Sequence, residues 1–304
     1  MSSRKSSHLY ALLVIGMIAI SFSAILVKWS DAPAPVIGMY RLLLTNLLLL
    51  PWVWSYRAEW RSIQRRDWFR LTMSGFFLGL HFLLWMESLR HTTVASSTAL
   101  LTLEPILVMA GSFWLFKQRT TTRAIFGVAV SLFGVILIGW GDLKMSGQAL
   151  YGDLLSVLGT IAVVAHMLLG QDLRQRVSSY AYNFTVFLVA GACLAAYNLS
   201  AGYAMTGYGA QEWVLFSAMA IIPTVLGHML FNWLLKYMNA TSISMAVLGE
   251  PVGASILAWV LLGEAMNPLQ MAACLLLIFG VWLFLVNDRK APHRAPVTVD
   301  VGAA

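Results

Sequence analysis

Two stretches of this chain resemble each other. The first, GLHFLLWMESLRHTTVASSTALLTLEPILVMAGSFWLF, covers residues 79–116, and the second, GHMLFNWLLKYMNATSISMAVLGEPVGASILAWVLL, covers residues 227–262. Both contain a Glu-Pro pair, at 104–105 and at 250–251, 146 residues apart, and a Phe-Gly-Val triplet recurs at the same spacing, at 133–135 and 279–281. His81 matches His228 if one residue is gapped between the helices. The second half of the chain is thus predicted to repeat the first.

The composition excludes a soluble protein. Hydrophobic residues make up 59% of the 304 residues and charged residues only 11%, with a mean hydropathy of +0.75. Soluble domains carry about 25% charged residues, because their surfaces must be wetted. A soluble enzyme, a nucleic-acid-binding module and a disordered chain are therefore all excluded, and we expect no nucleic acid among the partners.

The sequence predicts an all-α membrane protein of ten helices, because apolar stretches of about 20 residues can cross a roughly 30 Å hydrocarbon core. The ten predicted spans are 9–28, 36–55, 68–89, 93–116, 122–140, 151–170, 180–199, 213–236, 242–262 and 268–287. The connections are short and rich in Gly and Pro, so they leave no room for a soluble domain. We predict a first five-helix unit at 1–145, a second at 146–288 and a mobile cytoplasmic tail at 289–304.

The basic residues predict the orientation. If both termini are cytoplasmic, only Lys28, Arg90 and Lys144 lie outside and Arg41 lies within a span. The other sixteen of the twenty Lys and Arg residues then lie inside, as the positive-inside rule requires. The predicted location is the plasma (bacterial inner) membrane, with membrane lipid around the helices, and the pI near 9.6 reflects topology.

A unit of five helices has an odd number of crossings, so its second copy must be inverted. Inverted repeats of this kind are typical of secondary transporters, whose substrate sites lie near the bilayer midplane where the repeats meet. The layout, together with LHFLLW at 80–85, TTVASSTALLTLEP at 92–105 and MYRLLLTNLLLL at 39–50, resembles the drug/metabolite transporter superfamily, specifically its EamA-like branch. The resemblance implies helices arranged around a central cavity, and export of amino acids, other small metabolites or toxic compounds.

Several polar residues are predicted at mid-depth, where an ionisable group should face protein or water. His81, Trp85 and Ser88 share one face of the third span by their i, i+4, i+7 spacing, and the repeat places two residues on the equivalent face of the eighth. The predicted substrate cavity is lined by His81, Trp85, Ser88, Glu104, His228, Asn232 and Glu250. Phe82 and Trp85, with Trp233 nearby, could form an apolar or cation-accepting wall. Alternatively, these groups only hold the bundle together.

Each Glu is followed by a proline, which cannot donate a backbone hydrogen bond. Pro105 must leave the Leu101 carbonyl without its usual donor, and Pro251 must do the same for Val247. The sequence therefore predicts two kinks at matching depths, which serve either as hinges at Pro105 and Pro251 or as fixed bends.

Arg41 and His166 are not assigned to the predicted cavity. Arg41 lies near the outer end of the second span, so we expect it to snorkel to the headgroups. The alternative is that it guides an anionic group or pairs with Glu87. His166 is predicted to be a packing or interfacial residue.

The predicted function is export of small organic metabolites, with amino-acid-like amphiphiles as the substrate, by a secondary transporter using alternating access. The alternatives are a proton-coupled exporter of cationic drugs and a metabolite-permeable channel. Protons are a possible partner, because the mid-depth carboxyl and imidazole groups could exchange them. No catalytic, ATP-binding or cofactor motif is present, so neither an enzyme nor a cofactor or metal site is predicted. The sequence does not decide between monomer and homodimer.

Overall fold

The computed structural model describes residues 3–91, 97, 100–139, 147–263 and 268–288, and the regular secondary structure within these ranges is all helical. The predicted tail at 289–304 lies outside the described residues, as does most of the segment 92–99. The main helices are α1 (Ser3–Trp29), α2 (Ala34–Leu49), α3 (Arg57–Ser62), α4 (Arg65–His91), α5 (Glu104–Phe116), α6 (Thr122–Gly139), α7 (Gly147–Leu173), α8 (Ser179–Ser200), α9 (Ala210–Met219), α10 (Leu230–Leu234), α11 (Ala240–Val247), α12 (Glu250–Leu262) and α13 (Pro268–Asp288). A 3₁₀ turn at Leu50–Trp52 follows α2, and a π-helical segment at Ala220–Met229 joins α9 to α10.

Seven helical segments of the described chain are long and apolar enough to cross a membrane. They are His8–Trp29, Ala34–Trp52, Arg65–Ser88, Leu150–Leu173, Ser179–Ser200, Ala210–Leu234 and Ala240–Leu261. Three shorter apolar helices, at Glu104–Phe116, Thr122–Gly134 and Met271–Asn287, lie where the remaining three spans are predicted. The structure also adds α3, a short helix in a connection that the sequence analysis left without structure.

The outer faces of these helices carry large apolar side chains. Trp114 and Leu275 are 77% and 71% exposed, and Phe126 and Trp259 also face outward. A soluble protein rarely exposes apolar surface on this scale, whereas hydrocarbon is its natural solvent. The exposed surface therefore supports a chain that is embedded in a membrane and crosses it several times.

Both Glu-Pro pairs coincide with breaks in helices. Thr102 and Leu103 form a turn before α5 begins at Glu104, and Leu248 and Gly249 form a turn before α12 begins at Glu250. In each turn a backbone N–H reaches the carbonyl three residues earlier, from Leu103 to Leu100 at 3.1 Å and from Gly249 to Ala246 at 2.9 Å. The predicted kinks are therefore present, 146 residues apart, in the same local geometry.

The interior is built by helix pairs that approach closely. α4 packs along α7 and α8, α2 packs on α8, and α1 packs on both the π-helical segment and α12. α6 and α13 pair along much of their length through Gly127 and Gly280, where a Cβ on Gly280 would lie 2.5 Å from the Ser131 nitrogen and 2.8 Å from the Gly127 oxygen. Small residues at such crossings let membrane helices gain van der Waals contact.

Gly280 is accordingly expected to tolerate no side chain. In the variant Gly280→Ala the Cβ meets backbone atoms, which cannot move aside as a flexible side chain can, so α6 and α13 must separate. We expect a loss of roughly 1–3 kcal/mol, the usual cost of overpacking, seen as a lower Tm of the purified protein in detergent. Gly209→Ala is the matched control, because nothing lies within 4 Å of its Cβ position and its φ of −68° suits alanine. Equal Tm values for the two variants would contradict the close packing.

Candidate functional site

The two helix breaks place Glu104 and Glu250 at equivalent positions. Each is the first residue of its helix, where a carboxylate is favoured by the helix dipole. Glu104 is 7% exposed, and its Oε1 has no hydrogen-bond partner in the described part of the chain. Glu250 is partly buried, and the two carboxyl groups are near enough to interact electrostatically. The structure thus brings the two predicted carboxyl groups together from different halves of the sequence.

His81 and Trp85 lie on one face of α4. The His81 ring stacks on the Trp85 ring, with centroids 6.2 Å apart and an interplanar angle of 4°, as their i, i+4 spacing predicts. His81 Nδ1 also lies 3.0 Å from the carbonyl oxygen of Gly159 on α7. Trp85 is 9% exposed, and its indole Nε1 has no hydrogen-bond partner among the described residues. One face of α4 therefore presents two rings and an unused donor.

Phe82 connects the two histidines that the repeat relates. Its ring lies 5.2 Å from the His81 ring and 5.6 Å from the His228 ring, which it meets edge-on at 80°. The guanidinium carbon of Arg41 lies 4.8 Å from the centre of the same ring. The face of Phe82 is therefore covered by a cation that belongs to the protein itself, and the predicted wall of a substrate cavity stays a prediction.

Arg41 corrects the sequence interpretation. The prediction that it snorkels to the membrane surface is wrong, because its side chain is completely buried. Its Nε donates to Thr224 Oγ1 at 3.0 Å, and its Nη1 lies 3.4 Å from Ser23 Oγ. The alternative pairing with Glu87 is also wrong, because Glu87 contacts Arg90 and His91, and the acidic group that interacts with Arg41 is Glu250.

The π-helical segment explains how Arg41 is held in the interior. Pro223 has no N–H, so the Met219 carbonyl four residues earlier loses its usual donor. Thr224 Oγ1 donates to that carbonyl at 2.8 Å and accepts from Arg41 Nε, so a single hydroxyl satisfies both groups. Thr45 supports the same turn from α2, with its Oγ1 3.3 Å from the Ala220 oxygen. π-helical turns are frequently found at functional sites.

Thr224 can be tested as the anchor of Arg41. Thr224→Val keeps the branched shape and the backbone N–H but removes the hydroxyl, which leaves Arg41 Nε without its acceptor in a buried place. We expect a loss of about 1–3 kcal/mol, measured as a lower Tm of the purified protein. Thr224→Ser keeps the hydroxyl and should stay near the wild-type Tm. If Val and Ser behave alike, the hydroxyl does not anchor Arg41.

Two predicted cavity residues have side chains that are already hydrogen-bonded to neighbouring helices. Ser88 Oγ donates to the Trp85 carbonyl and lies 2.7 Å from Ser97 Oγ. Asn232 Nδ2 donates to Asn183 Oδ1 at 2.8 Å. Both side chains are buried, and the bond between Asn232 and Asn183 links α10 to α8. Their place in a substrate cavity stays a prediction.

The remaining polar and aromatic candidates lie in helix packing. His166 is 3% exposed, and its Nδ1 lies 2.9 Å from Ser74 Oγ, which also contacts the Tyr182 hydroxyl. This arrangement agrees with the predicted packing role. Trp233 contacts Tyr237, at 4.5 Å between ring centres, so its described ring contact lies away from Phe82.

An ion-pair network fastens the start of α4 to the end of α7. Arg176 lies 3.0 Å from Asp67 and 2.9 Å from Asp172, and Asp172 also lies 2.6 Å from Arg70. The hydrogen bond from Arg176 to Asp172 raises the pKa of the guanidinium above its usual value. The network therefore stays charged over the whole physiological pH range, and it joins α4 to α7.

The sequence matches a known family model twice. The model of the EamA-like transporter family matches residues 7–140 and again 150–286, which is nearly the whole chain. The chain belongs to the EamA-like transporter family. This is the drug/metabolite transporter relationship that the sequence resemblance indicates, and the Glu-Pro breaks fall at corresponding places in the two matched segments.

Relatives of this EamA-like transporter carry transporter names. A Bacillus subtilis (strain 168) protein named uncharacterized transporter YxxF is 22% identical over 98% of this chain and 95% of its own. An Archaeoglobus fulgidus protein named uncharacterized transporter is 23% identical over 93% of this chain and 99% of its own. A shorter Serratia proteamaculans protein is 29% identical over 28% of this chain and 72% of its own. It is named a probable 4-amino-4-deoxy-L-arabinose-phosphoundecaprenol flippase subunit ArnE.

A solved crystal structure shares the fold of this EamA-like transporter. It superposes with a TM-score of 0.80 at 14% sequence identity, over 93% of this chain and 98% of the other. At that identity the likeness concerns the fold alone.

The central group combines both charges with aromatic surface. Arg41 and Phe82 come from the first half of the chain, and His228 and Glu250 from the second. A separate apolar cavity of about 240 Å³ lies between α1, α11 and α13, lined mostly by residues such as Leu13, Met17 and Trp282. The predicted central cavity around Glu104 stays a prediction.

Proposed function

We propose that this protein is a secondary transporter that exports small zwitterionic metabolites of the amino-acid type across the plasma (bacterial inner) membrane. Membership of a transporter family supports transport, and the transporter names of its relatives agree with it. The observation that carries the substrate class is a group of opposite charges beside an aromatic ring. Arg41 interacts electrostatically with Glu250, and its guanidinium lies over the ring of Phe82.

The proposed architecture is ten spans in two inverted five-helix units, with both termini in the cytoplasm. The three short apolar helices would complete the seven long spans, and the matching breaks at 102–103 and 248–249 support a two-fold relation. Alternating access then follows if the two halves move against each other around the central group, as in other inverted-repeat carriers.

Charge argues against the alternative of cationic drugs as substrates. Arginine keeps its proton in proteins, so Arg41 is a fixed positive charge against the aromatic ring that an organic cation would use. A zwitterion instead offers a group of each sign. A channel would not need the two matching helix breaks. An enzyme would need a nucleophile or a metal, which the family does not imply.

Transport by the full-length protein in liposomes tests the proposal. Vesicles loaded with unlabelled L-phenylalanine or L-leucine should accumulate the labelled amino acid by counterflow without ATP, and uptake should saturate. Tetraphenylphosphonium, a lipophilic cation, serves as the competing substrate class, and protein-free liposomes give the background. Saturable counterflow of the cation alone would favour the drug exporter, and unsaturable flux of both would favour a channel.

A further inference from the structure

Arg41 has fewer partners than a buried guanidinium normally requires. The group carries five N–H donors, and buried polar groups are almost always hydrogen-bonded. Nε donates a hydrogen bond to Thr224 Oγ1, and Nη1 donates to Ser23 Oγ over a long distance of 3.4 Å. Nη2 is fully buried and has no hydrogen-bond partner in the part of the chain that the structure describes.

No carboxylate of the described residues forms an ion pair with Arg41. Asp67, Asp172 and Glu87 are each paired with other arginines, and Glu250 interacts with Arg41 electrostatically but lies beyond the 4 Å of a salt bridge. A buried charge without a close partner costs several kcal/mol, as a rough figure. Such a group is retained at a functional position when something else supplies the missing partner.

The contacts leave one part of the guanidinium available. Phe82 covers its face, and Thr224 takes the Nε side, so the Nη2 donors remain. These donors, together with the weakly bound Nη1, form the planar fork that pairs with a carboxylate through two parallel hydrogen bonds. Aromatic stacking on the face of a guanidinium does not compete with such in-plane bonds.

We propose that Arg41 is the residue that binds the carboxylate of the substrate. Glu250 is the counter-ion of Arg41 in the absence of substrate, and the substrate carboxylate replaces it. Glu104, with its unpartnered Oε1, is then the acceptor for the ammonium group of the same molecule. The inference rests on the proposed function, because it names the specificity determinants of that transporter. It makes specific the alternative, left open by the sequence, that Arg41 guides an anionic group.

Matched compounds test the carboxylate and the ammonium group of the ligand separately. The probes are L-phenylalanine, L-phenylalaninamide, which lacks the carboxylate, and 3-phenylpropionate, which lacks the ammonium group. Binding to the purified full-length protein is measured by competition against labelled L-phenylalanine, and by thermal shift for compounds that compete poorly. In the wild type we expect the amide to bind about tenfold to a hundredfold more weakly than the acid. This comparison needs no variant.

Substitution of Arg41 gives the second arm. Arg41→Lys keeps the charge and loses the fork, and Arg41→Gln loses both. We expect each to reduce the preference for acid over amide, with Gln abolishing it. Arg90→Gln removes an arginine that is largely exposed and should leave that preference unchanged.

The outcomes separate the inference from the function on which it rests. Equal binding of acid and amide by the wild type, or an unchanged preference in Arg41→Lys and Arg41→Gln, would overturn the role of Arg41 while transport of L-phenylalanine stands. If neither binding nor counterflow occurs with L-phenylalanine or L-leucine, the proposed function fails, and the role of Arg41 fails with it.

Discussion

Replacing Glu104 and Glu250 together by Gln should reduce substrate-driven proton movement to the level of protein-free liposomes. The two carboxyl groups lie at equivalent helix breaks and interact with each other electrostatically. Neither forms an ion pair with a described residue, and Gln preserves their shape while removing the exchangeable proton. If transport is coupled to the proton gradient, we expect these two side chains to bind and release the proton.

The measurement follows labelled L-phenylalanine and a pH-sensitive dye in the same vesicles. Glu87→Gln is the matched control, because Glu87 is paired with Arg90 and His91 near the end of α4, outside the central group. It should retain both fluxes. Wild-type transport that moves no protons and ignores an imposed pH gradient would contradict coupling and favour facilitated diffusion.

The two single variants should also differ from each other. Glu250 interacts electrostatically with Arg41, whereas Glu104 interacts electrostatically with Glu250. Removing Glu250 frees Arg41 for a substrate carboxylate, so Glu250→Gln should bind 3-phenylpropionate more tightly than the wild type. Glu104→Gln lacks this effect and should weaken binding of L-phenylalanine through the lost ammonium contact.

The sequence predicted the features that follow from local rules. A proline removes one hydrogen-bond donor wherever it stands, so the breaks at Glu104 and Glu250 could be located from the Glu-Pro pairs alone. The stacking of His81 on Trp85 follows from helical spacing in the same way. The length of each helix was harder to predict, since a single span was expected at 93–116, whereas α5 begins only at Glu104, after the turn at Thr102 and Leu103.

Arg41 escaped prediction because its burial depends on residues far away in the chain. Position near a helix end favours snorkelling, and only Thr224, 183 residues later, together with Ser23 and Phe82, supplies an interior place for the guanidinium. One signal was available: Pro223 must disturb its helix, and the hydroxyl that follows it suggests a polar site nearby. No local pattern links that site to Arg41.

Restoring the missing backbone donors should slow transport strongly while leaving binding in place. In Pro105→Ala and Pro251→Ala an N–H becomes available for the carbonyls of Leu101 and Val247, so each helix can continue through the turn that interrupts it. The straight helix becomes favoured on each side of the central group. Because a carrier must pass between conformations, we expect at least a tenfold lower rate in the double variant, with the affinity for L-phenylalanine within about twofold of wild type.

Pro268→Ala distinguishes the hinge from proline content in general. Pro268 is the first residue of α13, where a missing N–H has no helical partner to lose, so its replacement should change neither rate nor affinity. A double variant at Pro105 and Pro251 that transports like the wild type would mean that the kinks are fixed bends. A slow variant with intact binding would instead place the rate-limiting motion at two turns of matching geometry, 146 residues apart, each directly before a carboxyl group of the central site. Movement of the helix and release of the ligand would then be the same event.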